Sequence, residues 1–387
     1  MSLIVEKFGG TSLGDIDKIK RAAAIAAKDS RRGDMVVVVV SAPGGTTDDL
    51  IAMAKEIDKI PCGRELDMLM SAGEQISAAL MSMALMEIGV EAVSLCGWQA
   101  GINTDSTHGN AVIKYIDTAR VLGELRDGRV VVAAGFQGVD QWNDITTIGR
   151  GGSDTTAVAL AAALGADICR IYTDVDGVYS ADPAAVPTAF RHKSLGYDEM
   201  LEMSRLGAKV LHDRSVAMAK RYGVTIEVKK CGEDEEGTVI NGGIGEKASI
   251  VGAALGGPMM IACVSDGKDQ EKRRKLFAGL AKKGVNIDTI SWGEQLAFTS
   301  SANNKVRIET ALAELFPERW RIQEGSRMLS IIGSGITSAQ TAGMLECLAE
   351  EGIGISGVTS GNISVSALVD EEYALQGLKT VHRRFLE

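Results

Sequence analysis

Aromatic residues make up only 4% of the 387-residue chain. The stacking platforms on which single-stranded nucleic acids lie are therefore not expected. Positive charge is also in deficit, with 41 Lys and Arg against 51 Asp and Glu, a net charge of −10. That balance excludes a whole-protein footprint for DNA or RNA, though it leaves room for a local phosphate pocket. The four histidines show no H-x-x-x-H spacing, and the six cysteines (Cys62, Cys96, Cys169, Cys231, Cys263, Cys347) form no C-x-x-C pair. Neither a resident metal site nor a disulfide framework is expected, and the thiols read as reduced. The apolar run Met35 to Val40 falls far short of the ~20 residues of a bilayer span. The opening MSLIVEKFGG lacks the apolar core and cleavage site of a secretory signal, so no membrane association and a cytoplasmic location are expected. Proline is scarce at 6 residues. Glycine, at 45 residues, is enriched to roughly 12% against a usual ~7%. Glycine without proline implies tight loops between regular elements.

With 45% hydrophobic and 24% charged residues, the chain is that of a globular protein, long enough for two or three domains. Strand and helix patterns alternate through the first 230 residues. Residues 3–8 read as a buried strand, and Asp15 to Lys28 as a helix with Ile16, Ile19, Ala23 and Ala27 at helical spacing. The β-branched run Met35 to Val40 suits a central parallel strand. Helices follow near Leu50 to Lys59, Arg64 to Ile88 and Asp117 to Leu125, then a strand at Val130 to Gly135. An Ala-rich helix from Thr155 to Leu164 stops at Gly165, and a strand spans Ile168 to Thr173. One or two helices lie within Tyr197 to Tyr222, before a strand at Val224 to Lys229. This order predicts an open, mostly parallel sheet between helix layers. After Lys230 the texture turns acidic and glycine-rich, which sets a domain boundary between Gly232 and Glu246. Beyond it, two weakly related units are expected in succession, each with strand, helix and strand around K-K-G-V-N-I or E-E-G-I-G-I.

Two glycine loops open helices in the first domain. In Lys7-Phe8-Gly9-Gly10-Thr11-Ser12 a lysine leaves a strand end beside glycines whose N–H groups could face an anion. In Gly149-Arg150-Gly151-Gly152-Ser153-Asp154 the arginine offers a bidentate fork for carboxylate or phosphate, while Asp154 is equally a helix cap by type. Neither loop has the P-loop or dinucleotide spacing. Together they suggest a split polyphosphate clamp. Asp174, Asp176 and Asp182 suit turns, and Glu74 and Lys209 suit helix surfaces, when taken singly. His212 reads as structural.

The chain resembles the aspartokinases of the amino acid kinase family over nearly its whole length. The matching stretches are KFGGTS at 7–12, SAPGGTTDDL at 41–50, ELDMLMSAGEQIS at 65–77, QAGI at 99–102 and HGNA at 108–111. AAGFQGV at 133–139, TTIGRGGSDTTAVALAAAL at 146–164, IYTDVDGVYSADP at 171–183 and GAKVLH at 207–212 complete the set. The resemblance implies an amino-acid kinase domain at 1–232, a linker at 233–248 and tandem ACT-like βαββαβ regulatory units at 249–387. It implies an ATP-dependent kinase acting on L-aspartate at the head of lysine, threonine and methionine synthesis, with Mg²⁺ carried by the nucleotide. Lys7 and Asp154 would be catalytic, Lys7 by stabilising the transferring group. Ser41, Thr47, Glu74, Phe136, Arg150 and Ser153 would form the aspartate pocket, with Glu74 at the α-ammonium and Arg150 at the α-carboxylate. Lys7, Phe8, Gly9, Gly10, Thr173, Asp174, Tyr179, Asp182, Lys209 and Val210 would hold the nucleotide. The resemblance also implies an amino-acid effector at the ACT-like region and a homodimer or larger homo-oligomer.

Some residues depart from the family pattern. Ala184 follows Asp182-Pro183 where arginine is frequent. The effector loops read Asp266-Gly267-Lys268-Asp269 and Gly335-Ile336-Thr337-Ser338 without Pro-Gly, and Gly361 replaces a common glutamate. Weak feedback, or an unusual effector, is expected. A kinase of glutamate, acetylglutamate or a nucleotide is the nearer rival, and an amino-acid sensor with a relic kinase domain the more distant one. The set Ser41, Thr47, Glu74 and Arg150 opposes the former, and intact Lys7, Arg150 and Asp154 oppose the latter.

Overall fold

The computed structural model describes residues 1–387 apart from 209, 233–234, 243–248, 266–268 and 294. The chain begins with β1 (Leu3–Phe8), α1 (Ile16–Arg31), β2 (Met35–Val40), α2 (Thr46–Ile57) and α3 (Gly63–Glu87). Next come β3 (Ala92–Leu95), β4 (Ile102–Thr104), β5 (Ile113–Ile116), α4 (Ala119–Arg126), β6 (Val130–Ala134), β7 (Gln137–Val139) and β8 (Ile145–Thr147). Then follow α5 (Gly152–Leu164), β9 (Ile168–Thr173), β10 (Ser194–Gly196), α6 (Tyr197–Leu206), α7 (Asp213–Tyr222), β11 (Ile226–Lys230) and β12 (Thr238–Asn241). The backbone divides into two compact units. One comprises Met1–Val178, Arg191–Ser204 and Lys209–Gly245, and the other Tyr179–Phe190, Arg205–Ala208 and Glu246–Glu387.

The first unit is built on an eight-stranded sheet in the order β10-β12-β11-β9-β1-β2-β6-β3. Strands β9, β1, β2, β6 and β3 are all parallel. The valines at 36–40 are almost wholly buried, as a strand covered by helices on both faces requires. Helix α1 starts where the Asp15 carboxylate accepts the Lys18 N–H at 2.8 Å, and it buries Ile19, Ala22, Ala23, Ala26 and Ala27. Helix α5 is buried along most of its length and ends at Gly165, whose φ of 65° stops it without a Cβ penalty. A four-stranded sheet, β5-β4-β7-β8, was not legible in the sequence. Its strands are only three or four residues long, too short for an alternation pattern to register.

A network of charges lies under β1. Glu6 is fully buried, with Tyr172 OH donating to its Oε1 at 3.2 Å and Arg170 Nη1 3.6 Å away. The same guanidinium pairs with Asp29 and, through Nε, with Glu227 at 3.1 Å. Burial, followed by the nearby Asp29 charge, pushes the Glu6 carboxyl up to about 8.

The second unit holds β13 (Ser249–Val264), α8 (Gln270–Lys282), β14 (Thr289–Trp292), β15 (Leu296–Ser301), α9 (Lys305–Leu315) and β16 (Trp320–Ser334). It ends with α10 (Ser338–Glu350), β17 (Ile355–Ser360), β18 (Ser364–Asp370) and α11 (Glu371–Leu386). Its single sheet runs β14-β15-β13-β16-β18-β17. The sequence predicts two βαββαβ units in succession, but the register interleaves them. The last residues of β13 pair with the first of β16, Val264 opposite Trp320, and the first of β13 pair with the last of β16, Ile250 opposite Gly333. One repeat therefore runs unbroken from the end of β13 to the start of β16. The other takes its sixth strand from the beginning of β13. The sequence pattern predicts strands only at 259–264 and 327–332, whereas β13 and β16 run through Gly256-Gly257-Pro258 and Gly325. In the sheet Gly256-Gly257-Pro258 lies at a register shift between Leu255 and Pro258, and Gly325 at one between Met259 and Ile261. Residues 179–190 belong to this unit: Ser180 Oγ lies 2.9 Å from the buried His382 Nε2, and the Ala253 N–H donates to Ser180 O at 2.7 Å. No helix among the described residues is long and apolar enough to cross a membrane.

Candidate active site

The parallel strands β1, β2, β6 and β9 deliver their C-terminal ends side by side, where open α/β sheets bind ligands. Loops from these ends are tied to one another. The Ser41 N–H donates to Phe8 O at 3.2 Å, Gly44 N–H to Gly10 O at 3.1 Å, Gly135 N–H to Val40 O at 3.0 Å and Gly9 N–H to Tyr172 O at 3.3 Å. The rings of Phe8 and Tyr172 stack at 4.7 Å beneath the first loop. Gly10 is required by this closeness, since a Cβ there would sit 2.7 Å from Ala42 O.

Lys7 leaves β1 with its ammonium folded over Gly9 and paired to Asp154 at 2.6 Å. Both side chains are mostly buried, at 11% and 13% exposure. Asp154 lies in the first turn of α5, where a carboxylate is favoured by the helix dipole. The bland reading of Asp154 as a cap is not borne out: position N-cap is Gly151, and no side chain caps this helix. The Gly152 N–H donates to Gly149 O at 2.9 Å, and the N–H groups of Ser153 and Asp154 are left for another partner.

Ser41 follows β2, and Thr47 stands in the first turn of α2, which begins earlier than its sequence pattern suggests. Glu74 is 3% exposed; its Oε1 accepts the Ala42 N–H at 3.0 Å, and its Oε2 has no partner among the described residues. Burial pushes the Glu74 carboxyl up to about 7, against the opposing pull of the Ala42 N–H. Phe136 has a φ of 65°, rare for a residue with a Cβ. Its N–H donates to Thr156 Oγ1 at 3.1 Å and its carbonyl accepts from Ile148 at 2.8 Å, which hold the strained conformation. Ser153 is buried against Gly135. Arg150 is exposed and has no ion pair or hydrogen bond among the described residues.

Thr173 ends β9 and Asp174 follows it, with Thr173 Oγ1 donating to Asp174 Oδ1 at 2.9 Å. Tyr179 and Asp182 fall in the segment that folds with the second unit. There Asp182 Oδ1 accepts the Ala184 N–H at 2.9 Å, the turn-forming role its residue type suggests. Val210 lies in the turn before α7, and Lys209 lies outside the described residues.

Three site neighbours escaped the sequence reading. The His212 imidazole covers Gly151, where a Cβ would lie 2.3 Å from the ring, so this histidine packs on the second glycine loop. Asp67 and Arg214 anchor the same loop from α3 and α7. One signal was available: Asp67, Ser71 and Glu74 stand at i, i+4 and i+7, a polar stripe on one buried face of α3.

The profile of the amino acid kinase family matches residues 2–230, and that of an ACT domain matches residues 329–385. The aspartokinase of Geobacillus stearothermophilus is 43% identical across 100% of this chain and 97% of its own length. Aspartokinase 2 of Bacillus subtilis is 42% identical, covering 100% and 98%. Among solved structures, E. coli aspartokinase III in complex with aspartate and ADP superposes with a TM-score of 0.85 at 26% identity, over 100% of both chains. The same enzyme with lysine and aspartate gives 0.80 at 26% identity, again over 100% of both. With the split glycine loops, the Lys7–Asp154 pair and the unpaired Arg150 all at one sheet edge, the chain belongs to the amino acid kinase family and, within it, to the aspartokinases.

Proposed function

We propose that this site transfers the γ-phosphoryl group of ATP to the β-carboxylate of L-aspartate, giving 4-phospho-L-aspartate and ADP, with the residues assigned as follows. One pairing carries the reading. A free guanidinium on Arg150 and a buried carboxylate with an unpartnered oxygen on Glu74 match the two charges of an α-amino acid. Arg150 takes the α-carboxylate and Glu74 Oε2 the α-ammonium. Ser41, Thr47, Phe136 and Ser153 enclose the side chain. Gly9, whose N–H is held by Tyr172 O, keeps the loop open to phosphate, and the N–H groups of Gly10 and of Ser153 and Asp154 at the uncapped start of α5 donate to its oxygens. Phe8, Thr173, Asp174, Tyr179, Asp182, Lys209 and Val210 are assigned to the nucleotide, with Mg²⁺ entering on its phosphates.

The acceptor carboxylate is ionised at neutral pH, since the ordinary aspartate value is about 3.9, and needs no general base. Its oxygen attacks phosphorus, the bond to the β,γ-bridging oxygen breaks, and ADP leaves with that electron pair. Little remains for the protein but alignment and charge neutralisation. Lys7, held by Asp154, sits where negative charge spreads over the transferring group.

We further assign residues 1–232 as the catalytic domain, 233–248 as the connection and 249–387 as an effector-binding regulatory region. The free edges β14 and β17 favour a homodimer through the second unit. A cytoplasmic location accords with six free cysteines. Coupled ADP release with aspartate, glutamate and N-acetylglutamate as acceptors tests the substrate. Aspartate should be preferred by a wide margin, and faster turnover of either other acceptor would sink the assignment.

A further inference from the structure

Asp67 lies two turns of α3 before Glu74 and is fully buried. Its carboxylate is a hub for two loops. Thr147 donates from Oγ1 to Oδ1 at 2.5 Å and from its N–H to Oδ2 at 3.0 Å. The Gly109 N–H reaches both oxygens at 3.0 Å, and His108 Nδ1 lies 3.0 Å from Oδ2. No lysine or arginine pairs with this carboxylate among the described residues; backbone N–H groups, a hydroxyl and the His108 imidazole surround it instead. Such a buried anion is kept only where its donors are fixed in place.

Those donors lead to Arg150. Thr147 is three residues upstream, and its carbonyl accepts the Ala111 N–H at 2.9 Å, joining loop 105–111 to the strand end. From the other side, Arg214 donates to Ile148 O at 2.5 Å, Asn110 Oδ1 at 2.9 Å and Ala111 O at 2.9 Å. The backbone between Thr147 and Gly149 is thus gripped from α3 and from α7, while the Arg150 side chain beyond it stays free. We propose that Asp67 and Arg214 are positioning residues for the acceptor amino acid. They would fix the carrier loop so that the Arg150 fork meets the α-carboxylate already aligned. Neither residue touches substrate. This inference rests on the assignment of Arg150 to that carboxylate.

The position of Asp67 on α3 adds a second link. Ser71 O, one turn on, accepts from the buried Gln137 amide at 2.9 Å, and Glu74 holds Ala42 N–H one turn further. One helix face therefore sets the registers of the loops at 41–47, 136–137 and 147–150. Loss of Asp67 frees only the last of these, so its effect should fall on the acceptor and not on ATP.

The test is a double-mutant cycle on the full chain with Asp67→Asn, Arg150→Lys and both together, read as KM for aspartate, KM for ATP and kcat, with melting temperature as the control for folding. Asp67→Asn keeps the volume but opposes an amide NH₂ to donors, and should raise the aspartate KM by about tenfold or more with the ATP KM unchanged within about twofold. In the Arg150→Lys background the same change should add less than about threefold, because the fork it positions is gone. Thr147→Ser, which retains both donors, should behave as the parent. Arg214→Lys gives an independent arm and should raise the aspartate KM by severalfold. Full additivity of Asp67→Asn with Arg150→Lys, or an equal rise in both KM values, would overturn the positioning role. If Arg150→Lys alone leaves the aspartate KM unchanged, the fault lies with the assignment of Arg150, and that failure is read separately. If Asp67→Asn does not fold, Thr147→Val and Arg214→Lys carry the cycle in its place.

Discussion

Lys7 Nζ and Asp154 Oδ1 stand 2.6 Å apart, joining the end of β1 to the first turn of α5. The pair converts a flexible lysine into a fixed positive charge over the first glycine loop. Lys7→Ala should lower kcat on the order of 10²–10³-fold, the usual cost of one preorganised charge donor. The aspartate KM should change far less. Steady-state kinetics on the folded variant decides, and an undiminished kcat removes Lys7 from the transition state.

Arg150→Lys retains the charge and loses the planar fork. The expected outcome is a raised aspartate KM with ATP affinity kept. Should ATP binding collapse while aspartate binding persists, Arg150 serves the nucleotide instead.

Glu74 supplies a pH dependence. Its carboxyl titrates at about 7, raised by burial, and must be ionised to meet an ammonium. In the free enzyme it is protonated below that value. The logarithm of kcat/KM for aspartate should therefore rise with unit slope up to about pH 7 and level above it. Glu74→Gln should be poorly active and flat across this range. The same slope in the variant would place the titration elsewhere.

Glu6 governs stability with the opposite sign from a salt-bridged acid. Its folded value of about 8 lies above the ordinary 4.5. Between these values the folded chain binds more protons than the unfolded one, so the contribution is full below about 4.5 and is lost as pH rises through about 8. Glu6→Gln keeps an oxygen for Tyr172 and removes the buried charge. Its melting temperature should exceed the parent's at pH 9 by at least ~2 °C and approach it at pH 5. A parent that stays the more stable at pH 9 would show that the Glu6 charge is compensated by Arg170.

Feedback by lysine or threonine should be weak. The starts of α8 and α10, where an effector carboxylate would seek N–H groups, are already occupied. Asp269 Oδ1 accepts from Glu271 and Lys272, and Thr337 with Gln340 forms a capping box. The loop at 266–268, one of the sequence departures, lies outside the described residues. Calorimetric titration with each amino acid and with both is the check, and micromolar lysine binding with full inhibition would refute it.

Much of this protein was written in local sequence. The alternation of strands and helices, the glycine loops and the Asp15 and Gly165 helix ends follow from residue spacing and backbone preference. The place of the first glycine loop at the C-terminal ends of the parallel strands follows too, whereas the second leaves β8 of the four-stranded sheet and reaches Gly135 and Phe136 only through tertiary packing. The nesting of the two C-terminal repeats was decided by pairing at a distance: Val264 with Trp320 and Ile250 with Gly333 are long-range choices that no local pattern encodes. The left-handed Phe136 exists because Thr156 and Ile148 hold it, not because phenylalanine favours it. Asp67 and Glu74 look like ordinary helix polar residues until the fold buries them, and Arg214 until it meets the Ile148, Asn110 and Ala111 oxygens; only then do desolvation and fixed partners give each a task. Chemistry that depends on residue type was visible from the chain; chemistry that depends on desolvation had to wait for the tertiary structure.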